Sequence, residues 1–229
     1  MPKKKLIFLI IFIILGLIFL AIPFTNIVGS SQKFSLFDFF APATGMFIGS
    51  IYGALSVVFV KIISFLFSGQ SLETATIIRF FPLALAALYF GAKKYKKLVA
   101  LIPLLCMVLF IMHPEGRGAW FYSLYWLIPI ATVFIKRSLI FNSLGATFTA
   151  HAVGSVAFLY AFNLPTETWI ALIPIVFLER MLFTGGIAVS YLVINSLLNW
   201  LANRLKWPVL NKLVNQNYVF SKNLILKYL

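Results

Sequence analysis

Charged residues are scarce in this chain, and acidic residues are scarcer still. Only 10% of the 229 residues are charged, and five acidic residues stand against 19 lysines and arginines. Ordinary soluble domains are about one quarter charged, because they keep ionised side chains at their hydrated surface. This scarcity excludes a soluble globular domain of the ordinary kind.

Cysteine is also scarce, and the common catalytic motifs are missing. The one cysteine, Cys106, lies inside an apolar run, so the chain can form neither an internal disulfide nor a multi-cysteine metal site. The motifs H-E-x-x-H, G-x-S-x-G and G-x-x-x-x-G-K-[ST] do not occur. We therefore expect no metal, no cofactor, no ATPase and no recognisable enzyme on this chain.

Hydrophobic residues dominate what is present. They make up 62% of the chain, and the mean hydropathy is +1.01. A helix needs about 20 apolar residues to cross a bilayer. We predict an all-α, polytopic transmembrane helical bundle in a prokaryotic plasma (inner) membrane, with candidate spans at residues 6–24, 38–67, 74–92, 98–112, 119–135, 139–162 and 168–201.

The block 38–67 decides the number of spans. As one helix from Phe39 to Phe67 it would be about 43 Å long, which exceeds a hydrocarbon core of about 30 Å. Splitting it gives about eight spans with both termini inside, and this arrangement places most basic clusters in the cytoplasm. Seven spans, with the first terminus outside, remain the alternative.

Both ends of the chain carry lysines. The basic start and the apolar run to Ile22 resemble a signal peptide, but the run of about 17 residues is longer than usual and more spans follow, so we expect an uncleaved first helix. We predict a transmembrane domain over residues 1–203 and a basic amphipathic cytoplasmic tail over 204–229. The tail suits an anionic membrane surface or a partner's docking surface.

Several ionisable residues lie within the apolar blocks, where each ion costs roughly 2.5 to 3.5 kcal/mol at mid-bilayer. They must therefore face protein or a water-filled cavity. The preferred topology places Lys61 and Arg79 a turn or two from the outer surface, with the acidic residue at the start of block 38–67 on the same side. His151, Glu179 and Arg180 lie nearer the middle of the bilayer in this topology. We predict an outward-facing cavity that binds a solute, with these candidate ligand-binding residues: Asp38, Lys61, Arg79, His151, Glu179 and Arg180.

Each candidate also has a structural explanation. Glu179 can neutralise Arg79 or Lys61 across a helix interface, because buried ions need partners. Adjacent helical residues point about 100° apart, so we do not expect Glu179 to pair with Arg180. A lone intramembrane histidine such as His151 is more often a hydrogen-bonding residue between helices than a metal ligand.

Two further patterns recur along the chain. The first is a four-residue spacing of glycines at Gly45, Gly49 and Gly53, which predicts close approach of another backbone. Aromatic residues cluster near the predicted outer surface, where an aromatic belt or a wall for a planar ligand would use them: Trp120, Tyr122, Tyr125, Trp126 and Trp169.

The stretch 34–45, followed by Gly49, Gly53, Lys61 and the loop 68–71, resembles the substrate-binding (S) components of energy-coupling factor vitamin transporters, the riboflavin type most nearly. Family members continue with a helix that ends in a lysine cluster, as residues 79–97 do here. The last block, 169–200, resembles their final helix. The resemblance covers about half of the chain.

The resemblance implies a function and partners. Such proteins capture a vitamin-like molecule from outside, in the outer half of the bundle and under outer loops. Release is driven by a separate membrane coupling subunit and paired cytoplasmic ATPases. The expected partners are therefore membrane lipid, a small solute and these subunits. Nucleic acid is not expected, because the basic residues form short clusters between apolar runs.

Two rival functions remain open. The first is an intramembrane enzyme that modifies lipid, with His151 as general base and Glu179 as its orienting partner. The second is a structural membrane protein without a ligand, whose charged residues only fix helix packing.

Overall fold

The architecture comes from a computed structural model, in which residues 3–26, 33–69, 71–135, 138–206 and 208–220 are described. The predicted cytoplasmic pair Lys136 and Arg137 and the end of the tail, residues 221–229, lie outside the described residues.

The described chain is helical apart from one hairpin. The helices are α1 (Lys3–Leu20), α2 (Leu36–Ile48), α3 (Ser50–Ser68), α4 (Thr74–Ile78), α5 (Pro82–Gly91), α6 (Lys96–Val99), α7 (Leu101–Met112), α8 (Pro114–Gly118), α9 (Leu127–Phe134), α10 (Leu139–Phe162), α11 (Thr166–Arg204) and α12 (Pro208–Asn211). Two 3-10 helices, Trp120–Trp126 and Gln216–Tyr218, and the strands β1 (Pro23–Asn26) and β2 (Lys33–Ser35) complete the order.

The all-helical prediction is confirmed, with one addition that the sequence did not suggest. The first span was predicted to reach residue 24, but α1 ends at Leu20 and the chain turns into β1, which pairs antiparallel with β2. Pro23 accounts for the early end, because a proline disfavours the helical conformation of the residue before it. The hairpin therefore joins α1 to α2.

The predicted split of block 38–67 is confirmed at Gly49. This residue adopts φ +95° and ψ 151° between α2 and α3. A side chain would be strained in that conformation, whereas glycine adopts it freely. The block therefore forms two helices, of 13 and 19 residues.

Four helical segments in the described ranges are long and apolar enough to cross a membrane: Ser50–Ser68, Thr74–Gly91, Leu139–Phe162 and Thr166–Arg204. The second segment consists of α4 and α5 together. Shorter apolar helices occur at Phe8–Leu20, Leu36–Ile48 and Trp120–Phe134. These lengths and compositions fit an integral membrane protein. The count of eight or seven spans and the cytoplasmic termini stay predictions.

Glycines bring α2, α3 and α5 into backbone contact, as their spacing predicted. A Cβ on Gly45 would collide with the carbonyl oxygen of Ala87, and one on Gly91 with the carbonyl oxygen of Gly45. A Cβ on Gly53 would likewise meet the backbone of Gly45. Gly49 has a different role, because a Cβ there would touch nothing within 4 Å and only its φ requires glycine.

The buried side chains form two apolar clusters. One lies among α1, α2, α3, α5 and parts of α10 and α11. The second lies among α7, α9, the first 3-10 helix and the other parts of α10 and α11. The aromatic-belt prediction is wrong for three residues of this second cluster, because Tyr122, Trp126 and Trp169 are at most 2% exposed. They pack inside the protein, while Trp120 is 51% exposed.

The described part of the predicted tail folds back on α11. The Asn195 side-chain amide donates to the backbone carbonyl oxygens of Asn215 and Tyr218, each at 2.9 Å, and accepts from the Asn215 N–H at 2.8 Å. Leu210 of α12 is buried in the first apolar cluster. Contact of the tail with a membrane surface stays a prediction.

Candidate functional site

All six residues predicted to bind a solute line one cavity. Its volume is about 770 Å³, within the range of roughly 300–1,000 Å³ that is usual for small-molecule sites. The wall is built from the end of α1, the hairpin, the start of α2, the second half of α3, the start of α5, and α10 and α11. We call it the charged cavity. The six residues are Asp38, Lys61, Arg79, His151, Glu179 and Arg180.

The charged cavity lies at one end of the bundle, and a second cavity lies at the other. The second cavity, of about 870 Å³, is lined by Lys93, Lys94 and Lys212 and by residues around Gly49. Helix α1 runs from Phe8 at the second cavity to Leu20 at the charged one, which spans about 18 Å at 1.5 Å per residue. The charged residues therefore separate as predicted. Asp38 and Glu179, the two acidic residues of the charged cavity, lie far from the lysine loop (residues 93–97).

Arg180 is the most enclosed ion of the charged cavity, since only 9% of the residue is exposed. Its Nη1 donates to the Thr147 hydroxyl at 3.5 Å and its Nη2 to the Glu179 carboxylate at 3.4 Å. Its Nε has no partner and is the one buried side-chain polar atom without one in the described ranges. The guanidinium also lies over the Phe183 ring, 4.4 Å from its centre.

The pairing of Glu179 differs from both expectations. Adjacent residues were not expected to pair, yet Glu179 and Arg180 form the single ion pair found in the described part of the chain. The long arginine side chain bends far enough to overcome the 100° offset, although the contact of 3.4 Å is long for a charge-assisted bond. Pairing of Glu179 with Lys61 or Arg79 is therefore not what the structure shows.

Lys61 and Arg79 stand nearer the mouth of the charged cavity. The Lys61 ammonium lies 5.3 Å from the centre of the Phe37 ring, and the residue is partly buried. Arg79 is exposed at the end of α4, where the helical block 74–92 is interrupted before Pro82.

Asp38 has a structural task at the edge of the charged cavity. Its Oδ2 accepts from the Ser35 backbone N–H at 2.8 Å and from the Ser35 hydroxyl at 3.0 Å. This pair caps the start of α2, where helical N–H groups lack partners. One carboxylate oxygen is thereby occupied within the protein.

His151 also uses its polar atoms within the protein. Its Nδ1 accepts from the Trp126 indole N–H at 3.0 Å, and its Nε2 lies 2.8 Å from the Tyr122 hydroxyl. Indole nitrogen can only donate, so Nδ1 carries no proton and the ring is neutral, with its proton on Nε2. Ser155 lies 3.3 Å from the same Nε2. Neither ring nitrogen is free to act as a base.

Aromatic side chains form part of the apolar wall, and no sequence pattern pointed to them. Phe34, Phe158 and Phe183 line the charged cavity. Phe34 and Phe183 meet edge to face, with ring centres 4.6 Å apart. Phenylalanine is abundant throughout the chain, with 25 copies, so its count alone marks no site.

The ionised side chains of the wall do not cancel. Three cations, Lys61, Arg79 and Arg180, face two carboxylates, Asp38 and Glu179. The charged cavity therefore carries a formal excess of one positive charge. Within the described residues, no three His, Cys, Asp or Glu side chains group together as a metal site requires.

Comparison with known proteins adds one distant relative. No protein-family model matches the chain, and no solved structure matches it. The chain is similar to the uncharacterised protein MJ0923 of Methanocaldococcus jannaschii, at 27% identity over 205 residues that cover 79% of this chain and 68% of the relative. Because that relative is itself uncharacterised, the similarity brings no activity with it.

Proposed function

We propose that the protein is a membrane uptake protein that binds a small, vitamin-like solute in the charged cavity, in the manner of an energy-coupling factor S component. A membrane coupling subunit and cytoplasmic ATPases would drive release. One observation carries the proposal: six polar residues from distant parts of the chain converge on a single cavity large enough for a vitamin-sized molecule.

The position of the charged cavity supports uptake over export. It lies at the end of the bundle opposite the lysine loop. Lysine-rich short loops are retained in the cytoplasm. The charged cavity then faces the outside, where a solute to be imported is met first.

The hydrogen bonds favour solute binding over the enzymatic rival. That rival needs His151 as a base oriented by Glu179. His151 is instead held by Trp126 and Tyr122, and Glu179 pairs with Arg180. A base must present a free lone pair to its substrate, and neither ring nitrogen does so.

The proposal is tested by purifying the protein from its native membrane in mild detergent and identifying all retained proteins and small molecules by mass spectrometry. We expect a bound solute, together with a coupling subunit and ATPases. Lys61→Glu should lose the solute, because it reverses a charge of the wall. Lys206→Glu, an exposed site outside the wall, is the matched control.

The opposite result is equally clear. A protein that carries no solute and no coupling subunit, or one whose solute is unaffected by Lys61→Glu, would contradict uptake through the charged cavity.

A further inference from the structure

The unsatisfied guanidinium of Arg180 points to the chemistry of the solute. We infer that the solute carries a carboxylate and that this carboxylate binds Arg180. The inference rests on the proposed function, because it specifies the class of molecule that the same cavity takes.

The hydrogen bonds of Arg180 leave donors of its guanidinium unused. A guanidinium has five N–H donors in a fixed planar arrangement. Only two of its nitrogens have a hydrogen bond, of 3.5 Å to Thr147 and 3.4 Å to Glu179, and both are long. Nε is buried without a partner. Nε–H and the neighbouring Nη2–H form an edge that fits two oxygens of one carboxylate.

The charge of the wall sets the number of negative charges on the solute. With three cations against two carboxylates, one added negative charge brings the charged cavity to neutrality. A phosphate monoester carries between one and two negative charges at neutral pH and would overshoot. A monocarboxylate matches the excess.

The remaining wall sets the body of the solute. Phe34, Phe158 and Phe183 supply aromatic surface beside the polar residues. Phe183 lies directly under the Arg180 guanidinium, 4.4 Å from ring centre to Cζ. An amphipathic molecule with an apolar or planar body and one carboxylate satisfies both kinds of surface.

The test uses pairs of molecules that differ in the carboxylate alone: biotin with biotin amide, nicotinate with nicotinamide, and pantothenate with panthenol. Purified protein is incubated with an equimolar mixture of all six, and retained molecules are quantified by mass spectrometry. We expect at least one acid to be retained about tenfold or more over its neutral partner, as a charge-assisted pair of hydrogen bonds provides.

Three variants assign the preference to Arg180. Arg180→Met keeps a long apolar side chain in the wall and should abolish the preference for the acid. Arg180→Lys keeps the positive charge but lacks the two-donor edge, so this variant should keep only part of the preference for the acid. Arg117→Met is the matched control, because Arg117 is exposed on α8 and does not line the charged cavity.

Two results would overturn the inference: retention of a neutral partner equal to that of its acid, or an acid preference that survives Arg180→Met. Solute binding as such would stand in both cases. Retention of nothing from the mixture is resolved by a second measurement, a titration with benzoate and benzamide followed on the Nε–H nuclear magnetic resonance signal that Arg180→Lys removes. A shift with benzoate alone supports the inference, and an unmoved signal refutes it.

The same titration separates this inference from the proposed function. If benzoate moves the Arg180 signal but the protein from native membranes retains neither solute nor coupling subunit, the carboxylate site stands and uptake fails.

Discussion

Individual side chains of the charged cavity have different freedom to act. Asp38 lines the cavity, but one of its carboxylate oxygens is hydrogen-bonded to Ser35. His151 also lines it, but its ring nitrogens are hydrogen-bonded to Trp126 and Tyr122. Arg180 keeps an unsatisfied donor. A polar residue in an apolar block is therefore recognisable from sequence, whereas its availability to a ligand depends on the neighbours that it meets in the fold.

His151 provides a prediction at the scale of one residue. Tyr122 and Trp126 are at most 1% exposed, and both bond to the imidazole. His151→Ala leaves the buried Trp126 N–H without a partner, at a cost of about 1–3 kcal/mol, whereas the Tyr122 hydroxyl keeps Ser155 at 3.3 Å. We expect a lower free energy of unfolding in detergent, measured by tryptophan fluorescence.

The other histidine is the control for this experiment. His113 accepts only a long bond of 3.3 Å from the Glu115 N–H, so His113→Ala should change stability much less. Full stability of His151→Ala together with loss of a catalytic turnover would favour the enzymatic rival.

At the scale of elements, the contact between α2 and α5 depends on missing side chains. Gly45→Ala would place a methyl group on the Ala87 carbonyl oxygen, and the backbones would have to separate. Overpacking of this kind costs typically about 1–3 kcal/mol. We expect a lower yield of folded protein and a lower thermal midpoint, measured by fluorescence-detected gel filtration after heating.

A glycine of α11 offers a matched control. A Cβ on Gly185 would meet nothing within 4 Å. Gly185→Ala should therefore be neutral or slightly stabilising, because alanine loses less backbone entropy in a helix. Equal effects of the two substitutions would show that the backbone contact at Gly45 does not matter.

A second link joins α8 to the start of α11 and makes stability depend on pH. The Glu115 carboxylate accepts from the Thr166 hydroxyl at 2.8 Å and from the Thr166 N–H at 2.7 Å. These two bonds hold the pKa of Glu115 below its ordinary value, and the bond from the hydroxyl has the larger effect. The ionised form is thus stabilised in the folded protein. The ionised carboxylate therefore adds to the stability of the folded protein above the ordinary pKa of Glu. This added stability is lost as the pH falls through the lowered pKa of Glu115.

We therefore expect Glu115→Gln to lower the thermal midpoint at neutral pH and to lower it less at about pH 3, where a larger share of Glu115 is protonated. Differential scanning fluorimetry at the two pH values measures the difference. Glu167→Gln, an exposed neighbour in the first turn of α11, is the control. A difference that stays constant with pH would show that ionisation of Glu115 is not involved.

At the scale of the whole molecule, the separation of the two cavities makes a prediction about access from outside. In a Cys106→Ala background, we expect Lys61→Cys, Arg79→Cys and Glu179→Cys to react with a membrane-impermeant maleimide in intact cells. Lys94→Cys, in the lysine loop, should react only after the membrane is permeabilised. Each substituted position lines one of the two cavities.

Reversed labelling would overturn the outward orientation. If positions 61, 79 and 179 are sealed while position 94 reacts in intact cells, the charged cavity faces the cytoplasm and uptake by this route is excluded.

Length and local composition were sufficient for several features of the fold. The split of block 38–67 followed from the length of a single helix and from the positions of the basic clusters. It falls at Gly49, whose positive φ glycine adopts without strain. The close approach at Gly45 and Gly53 followed from their spacing. Length, charge and residue spacing can all be read along the chain, so the sequence reports these features directly.

The aromatic residues show where local reasoning ended. Tyrosine and tryptophan are typical of an interfacial aromatic belt, yet Tyr122, Trp126 and Trp169 are buried in the protein. Trp126 and His151 are separated by 25 positions, and only helix packing brings them together. The pairing of Glu179 with Arg180 likewise depends on side-chain conformation and on competing neighbours.

Sequence alone was enough to establish a helical chain suited to a membrane, and to pick out the polar residues that such a chain must gather away from lipid. The cost of an ion in hydrocarbon depends on the residue type and its apolar surroundings, which can be read along the chain. The tertiary structure decided which of these residues share a cavity and which have hydrogen-bond partners within the protein. It also left the Nε of Arg180 without such a partner. Those outcomes depend on distances between atoms of different helices, and no local pattern encodes them.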